Sequence, residues 1–306
     1  MSTRNIKRVA VLAGGPSKER EISLVSAGAA ARALGALGYD VITIDVTRDV
    51  AALVRDITVG KPDVVFNALH GRVGEDGSIQ GLLDMMALPY THSGRMASAM
   101  AMDKPMAKKI FASVGIPVAK DRVVTRAEAE KGDVLPPPYV LKPTNEGSSV
   151  GIRFVHPGDN RQPLEDLGIP ADGLILVEQY IPGREVTVAV MGEKALAVTE
   201  IMTDRSFYDY EAKYASGGST HVIPAALYKK LYDRAMELSL TAHRALGCRG
   251  VSRADLRFDG TEFYMLEVNT QPGLTPTSLV PEQALHLGIS FNQLIQWMVE
   301  HAACDA

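Results

Sequence analysis

The chain has 306 residues, enough for two to three domains with sizeable cores, and its 32 Lys+Arg against 36 Asp+Glu leave no basic excess for a nucleic-acid or membrane-surface partner. No stretch approaches the ~20 apolar residues of a membrane span, and the apolar run 9–13 is cut short at Gly14-Gly15-Pro16, below the length of a signal peptide's apolar region. Cys248 and Cys304 lie far apart without metal-ligand spacing, as expected in a reducing compartment. The expectation is a cytoplasmic protein with small-molecule partners, no nucleic acid and no membrane.

From Arg8 the chain alternates β-rich runs with helical patterns: RVAVLAG, a helix over 19–38, DVITIDV, a helix over 49–57, and DVVFNAL. This alternation predicts a parallel α/β unit. In the first helix Ile22, Val25 and Ala29 recur at spacings of three and four, which reads as a core stripe, and Ser17 is a candidate cap. A second unit starts near Met102 with a Lys-rich helix, then Gly115-Ile116-Pro117, then strands around Val123 and over 139–142, the last set off by Pro136-Pro137-Pro138. The third unit carries antiparallel signals. REVTVAVMG and ALAVTEI read as a hairpin turning at Gly192-Glu193, while 202–224 is a long polar stretch with little periodicity. A helix over 228–246 precedes VSRADLRF and EFYMLEVN, separated by Asp259-Gly260, and the end is helical.

The strongest chemical pattern is Asp255 followed by Glu267-x-Asn269. Residues two apart on a strand share a face, so Glu267 and Asn269 point together. A two-residue turn at Asp259-Gly260 would set Asp255 on the opposite face, whereas a three-residue loop would pair it with Met265 and bring all three to one side. We expect the three-residue register, because oxygen ligands on one face suit Mg²⁺ beside phosphate. Arg253 shares the strand face of Asp255, where it either neutralises that carboxylate or stabilises anionic charge during a reaction.

Glu146-Gly147-Ser148-Ser149-Val150-Gly151 follows Lys142-Pro143. Glycines let backbone N–H groups approach phosphate, and Lys142 supplies a charge. Alone, such a loop is more often a plain turn, and it is not a Walker A loop. Gly14-Gly15 opens a helix after a strand, yet GGPSKE does not complete the dinucleotide fingerprint, which disfavours a dehydrogenase. Further candidates are His70, Lys104, Glu178, Glu185, Lys213-Tyr214 and Gln271-Pro272-Gly273, each with a bland reading as a surface, strand-end or turn residue when taken singly.

In order along nearly the whole chain, GGPSKEREISLVSA, ALHGRVGEDGSIQGLL, MDKPMAKK, LKPTNEGSSVG, FYDYEAKY, SRADLRF and LEVNTQPGLTPTSLVP resemble the ATP-grasp family, and within it the D-alanine–D-alanine ligases. The resemblance implies a three-domain ATP-grasp fold, α/β and α+β, with an N-terminal Rossmann-like parallel-sheet domain over 1–101, a central lid domain over 102–183 and a catalytic domain over 184–306. ATP would lie between the antiparallel sheets of the last two. Lys104 and Lys142 would contact its phosphates, Gly147, Ser149 and Val150 would cover them, and Lys213 would approach the γ-phosphate from the long loop. Glu178, Tyr180, Ile181 and Phe207 would surround the base, with Gln179 standing where relatives often carry Lys, and Glu185 would bind the ribose. Residues 155–174 look short for the family, as if the lid were trimmed.

The same resemblance gives Asp255, Glu267 and Asn269 two Mg²⁺ or Mn²⁺ ions. Glu19, with Ser148 and Tyr214, would hold the first D-alanine, His70 would lie nearby, and Ser278 with the backbone at Leu279 would meet the second. Arg253 and the Gly273 N–H would form an oxyanion hole. Activation by K⁺ and a homodimer are implied in the same way. The implied reaction is D-alanine ligation through an acyl phosphate for peptidoglycan precursor synthesis. A D-alanine–D-lactate ligase is the rival within the enzyme class, against which Tyr214 speaks. A non-catalytic nucleotide-binding module is the rival outside it, although this chain keeps Arg253 and every metal ligand.

Overall fold

The computed structural model describes residues 6–147, 151–159, 163–203, 218–275 and 278–305. The expected parallel unit begins with β1 (Arg8–Gly14), whose interior residues are buried on both faces, as a strand between two layers requires. It pairs in parallel with β2 (Asp40–Val46) on one side and β3 (Val64–Asn67) on the other.

Helix α1 (Arg20–Ala36) packs on this sheet through Ser23, Ser26, Ala27, Ala30, Ala33 and Leu34. The expected stripe of Ile22, Val25 and Ala29 is therefore corrected, since Val25 is 55% exposed while Ala29 is buried. The reason is close approach: small residues bring the helix against the sheet, where Ser23 Oγ donates to Ala68 O at 2.7 Å and Ser26 Oγ meets His70 Nε2 at 3.0 Å. Ser17 is not the cap either. Glu19 occupies that position, and Ser17 Oγ instead donates to His70 O at 2.6 Å and accepts from Glu19 N at 3.1 Å.

Helices α2 (Val50–Gly60), α3 (Ser78–Met85) and α4 (Arg95–Met102) complete the unit. Asp49 caps α2 by accepting from Ala52 N at 2.9 Å. Asp103 caps α5 (Lys104–Ser113) through Met106 N at 2.9 Å, which fixes Lys104 in the first turn.

An antiparallel sheet follows, in the order β4 (Asp121–Thr125), β7 (Leu174–Gln179), β5 (Tyr139–Pro143), β6 (Arg153–Val155), with α6 (Arg126–Lys131) after β4. The other antiparallel sheet has five strands among the described residues, in the order β10 (Thr220–Val222), β9 (Lys194–Met202), β8 (Arg184–Met191), β11 (Val251–Phe258), β12 (Phe263–Asn269). β8 and β9 turn at Gly192-Glu193 as expected, Gly192 having φ +58°. Strand β10 falls inside the stretch 202–224 that shows little periodicity.

Alternation divides the five-stranded sheet. Val186, Val188, Ala254, Leu256 and Met265 join α5 and α7 (Lys229–Ala245) in one core, while Ala189 and Val251 face α8 (Leu279–His286), α9 (Phe291–Glu300) and the parallel unit.

The β11–β12 connection corrects the three-residue expectation. Phe258 pairs with Phe263 across a four-residue loop, closed by Asp259 Oδ1, which accepts from Thr261 N and Glu262 N, both at 2.8 Å. A bulge then follows: Leu256 pairs with Met265 but Asp255 pairs with Glu267, leaving Leu266 as the extra residue. Met265 points into the core, whereas Leu266 and Glu267 both point out of it, so the strand changes phase there. The predicted outcome, Asp255 sharing a face with Glu267 and Asn269, is reached by a different route.

Candidate active site

Two adjoining cavities open beside this hairpin. The larger, about 840 Å³, lies between the two antiparallel sheets and is lined by Val140, Lys142, Phe154, Glu178, Tyr180, Ile181, Glu185, Asp255, Arg257 and Leu266. The other, about 630 Å³, is walled by Glu19, His70 and Glu75 from the parallel unit, by Arg253 of β11, and by Asn269 and Gly273 from β12 and its exit. Lys104, Glu146 and Glu267 line both, so the cavities meet at Lys104, whose Nζ lies 3.7 Å from Glu267 Oε2 and 2.5 Å from Glu146 O.

The larger cavity is apolar at one end and charged at the other. At the apolar end Phe154 and Tyr180 meet edge to face at 5.5 Å. Arg257 lies over the Tyr180 ring and donates to Glu185 at 3.2 Å and to Ile181 O at 3.1 Å, fixing the rim. At the charged end the buried Glu178 carboxylate is gripped by Lys108 on one oxygen and by Lys142 on the other at 2.5 Å. Burial alone would raise its pKa, but the Lys142 and Lys108 ammoniums outweigh burial and hold it below the usual carboxylate range. Burial likewise works against the charge on Lys142, and the Glu178 carboxylate outweighs it, so the ammonium is held above its usual value. Both groups stay ionised, leaving a fixed cation in the cavity wall.

Asp255 is held from its own sheet. Arg253 donates to both carboxylate oxygens, Nε at 2.8 Å and Nη2 at 2.7 Å, and Thr187 Oγ1 donates at 2.6 Å. Asn269 Oδ1 accepts from Gln271 N at 2.8 Å. In the second cavity His70 spans Ser26 and Glu75, with Nδ1 at 3.3 Å from Glu75. The start of the glycine loop closes on this group: a Cβ on Gly147 would lie 3.2 Å from Glu19 Oε2 and 3.8 Å from Glu75 Oε2. Gly273 packs as tightly on Ser278, since a Cβ there would lie 3.1 Å from Ser278 Oγ. Ser278 is engaged with Thr275 at 2.8 Å, and the Leu279 side chain is buried against Ile201, so only its main chain at the start of α8 is available to a ligand.

The sequence candidates Glu19, His70, Lys104, Lys142, Gly147, Glu178, Tyr180, Ile181, Glu185, Arg253, Asp255, Glu267, Asn269 and Gly273 thus surround one connected space. Ser148, Ser149, Val150, Phe207, Lys213 and Tyr214 lie outside the described residues. Sequence reasoning missed Lys108, Arg257, Thr187 and Glu75, and it named Gln271 only as part of Gln271-Pro272-Gly273, without its partner Asn67. Arg257 was within reach, because it continues the alternation Arg253-x-Asp255-x-Arg257 on one strand face. Lys108 stands one helical turn after Lys104, but its partner Glu178 is seventy residues on.

Two family models match, the D-ala D-ala ligase C-terminus over residues 110–300 and the D-ala D-ala ligase N-terminus over residues 51–93. The chain is 60% identical to the D-alanine–D-alanine ligase of Rhodospirillum rubrum over 300 residues, covering 98% of this chain and 99% of that one. To that of Paramagnetospirillum magneticum it is 58% identical, with 98% and 99% covered. The chain belongs to the D-alanine–D-alanine ligase family. The fold agrees with that of the D-alanine–D-alanine ligase from Bacillus anthracis complexed with ATP, at a TM-score of 0.81 and 29% identity over 97% of each chain. The ATP-grasp expectation is met: a D-alanine–D-alanine ligase family chain carries its parallel unit and both antiparallel sheets here.

Among the described residues no group of three His, Cys, Asp or Glu is gathered to hold a metal. The set expected from the sequence, Asp255, Glu267 and Asn269, is different in kind, two carboxylates and a carboxamide, all hard oxygen donors on one sheet face. Asp255 and Glu267 are direct cross-strand partners, and like charges so placed repel unless cations lie between or beside them. Arg253 and Lys104 flank the pair, and the chemistry of this face suits a further cation.

Proposed function

We propose that this enzyme ligates two D-alanines at the expense of ATP, through a D-alanyl phosphate, in peptidoglycan precursor synthesis. The observation that carries the reading is the junction at Lys104 and Glu267, where a cavity with an apolar end and a cationic wall opens into a second cavity lined by Glu19, His70 and Arg253. Adenine fits the apolar Tyr180–Ile181 end beside Phe154 and reaches toward Glu178, and Glu185 takes the ribose. Lys142 and Lys104 meet the phosphates beneath the loop of Gly147, Ser149 and Val150, Lys213 approaches the γ-phosphate from the long loop, and Phe207 joins the residues around the base. Asp255, Glu267 and Asn269 would hold two Mg²⁺ or Mn²⁺, which supply charge neutralisation at the transferring phosphoryl group.

Glu19 holds the ammonium of the first D-alanine, with Ser148, Tyr214 and His70 around it, so its carboxylate faces the junction. A carboxylate oxygen attacks the γ-phosphorus and ADP leaves. The amine of the second D-alanine, whose carboxylate is received by Ser278 and the Leu279 main chain, attacks the acyl carbon. Arg253 and the Gly273 N–H then stabilise the oxyanion until phosphate departs with the transferred oxygen. In this reading residues 1–101 bear the first substrate, 102–183 cover ATP and 184–306 carry the reaction centre.

Phosphate release with ATP, Mg²⁺ and either D-alanine or D-lactate tests the reaction. D-alanine alone should give release and dipeptide, and release with neither would remove the enzyme reading. D-alanine labelled with ¹⁸O in its carboxylate should deliver one labelled oxygen to phosphate, and unlabelled phosphate would exclude the acyl phosphate. Work in the cytoplasm, as a homodimer and with K⁺ activation, rests on the family resemblance, and is tested by light scattering and by exchanging K⁺ for Na⁺.

A further inference from the structure

Gln271 and Asn67 are both buried, one just beyond β12 and the other at the carboxyl end of β3. The Gln271 carboxamide makes two hydrogen bonds with this one residue: Nε2 donates to the main-chain oxygen of Asn67, and Oε1 accepts from Asn67 Nδ2 at 3.3 Å. Gln271 N then donates to Asn269 Oδ1 at 2.8 Å. On the other side Asn67 Nδ2 also donates to Gly74 O at 3.0 Å, in the loop that carries His70 and Glu75. An unbroken path of hydrogen bonds therefore joins the wall of the first-substrate cavity to Asn269.

A carboxamide can present oxygen or nitrogen, and only oxygen binds a cation. With the Gln271 N–H fixed beside it, the reversed Asn269 side chain would set donor against donor, so the oxygen is selected. Fixing that N–H requires its residue to be held, and an apolar side chain at 271 would fill the space while leaving both Asn67 groups short of a partner.

We propose that Asn67 and Gln271 are positioning residues: their amide pair orients Asn269 Oδ1 toward the cation and ties that orientation to the loop bearing His70 and Glu75. This rests on the reading of Asn269 as a metal ligand.

The test is Mn²⁺ titration of the full chain with ADP present, followed by electron paramagnetic resonance, for the parent, Gln271→Met and Asn269→Ala, alongside steady-state kinetics and melting curves. Gln271→Met should weaken Mn²⁺ binding about tenfold, the lower end for a residue that orients a ligand, and raise the KM for D-alanine. Asn269→Ala should weaken Mn²⁺ at least as much. Unchanged Mn²⁺ affinity in Asn269→Ala overturns the metal reading and the pair's role with it. Weakening in Asn269→Ala, together with a lower Tm but unchanged Mn²⁺ affinity and KM in Gln271→Met, overturns the positioning role alone and leaves Gln271 structural. Should Gln271→Met fail to fold, Gln271→Asn, too short by one methylene to reach Asn67, is measured against the same outcomes.

Discussion

Asp255 and Glu267 face one another as direct partners across β11 and β12 because Leu266 is bulged between Glu267 and the core-facing Met265. The opposed carboxylates repel, and Arg253 on Asp255 and the longer Lys104 contact on Glu267 offset that repulsion only in part. Replacing one by its neutral isostere, Glu267→Gln, is expected to leave Tm equal to or above the parent while turnover falls by about 100-fold or more, beyond the range for residues that only orient a ligand. A melting curve and a phosphate-release assay on the same preparation decide it. Full turnover in the variant would remove Glu267 from the reaction centre.

Arg253 is expected to act on the reaction more than on nucleotide binding. Loss of one oxyanion donor commonly costs about 3 kcal/mol, or roughly 100-fold in turnover. Arg253→Ala should show that loss with a change in the KM for ATP of no more than about tenfold. It should also melt earlier, since removing one partner of a buried ion pair leaves the other uncompensated, at about 3 kcal/mol. Kinetics are therefore read well below the variant's Tm. A rise in the KM for ATP that matches the loss in kcat would assign Arg253 to the phosphates instead.

Gly71 has φ +69°, and a Cβ there would sit 2.7 Å from Glu19 Oε2 and 3.1 Å from the Ser17 side chain. Gly71→Ala should displace Glu19 and raise the KM for D-alanine about tenfold, a loss of roughly 1.4 kcal/mol, with the KM for ATP unchanged. Equal effects on both substrates would mean that the loop, and not Glu19 alone, has moved.

The Glu178 carboxyl has its pKa lowered, Lys142 and Lys108 outweighing its burial. A group lowered on folding contributes stability that is present above its unfolded value of about 4.3, and loses it as pH falls through the folded value. Melting curves from pH 7 down to pH 3 should therefore show a stability gap between the parent and Glu178→Gln, about 3 kcal/mol near neutrality, narrowing below about pH 4.3. A gap that stays constant to pH 3 would mean that Glu178 does not titrate with folding.

The fold class, the Gly192-Glu193 hairpin and the ordered motifs were legible in the sequence because each is a local pattern: alternation, turn chemistry and short runs of residue types. Where side-chain size overrode hydropathy, local pattern failed. Helix α1 buries Ser23 and Ser26 and exposes Val25, since approach to the sheet favours small residues with acceptors in reach.

By itself, the sequence named most of the oxygen donors, lysines and glycines that line the two cavities, and it identified the family. The β12 phase, the partners of Glu178 and the Asn67–Gln271 pair were decided by tertiary structure. A bulge adds one residue without a strong composition signal, and the register it sets follows from a loop closed by the Asp259 carboxylate. Ion pairs and amide pairs between segments seventy or two hundred residues apart depend on how sheets and helices stack, which no local window contains.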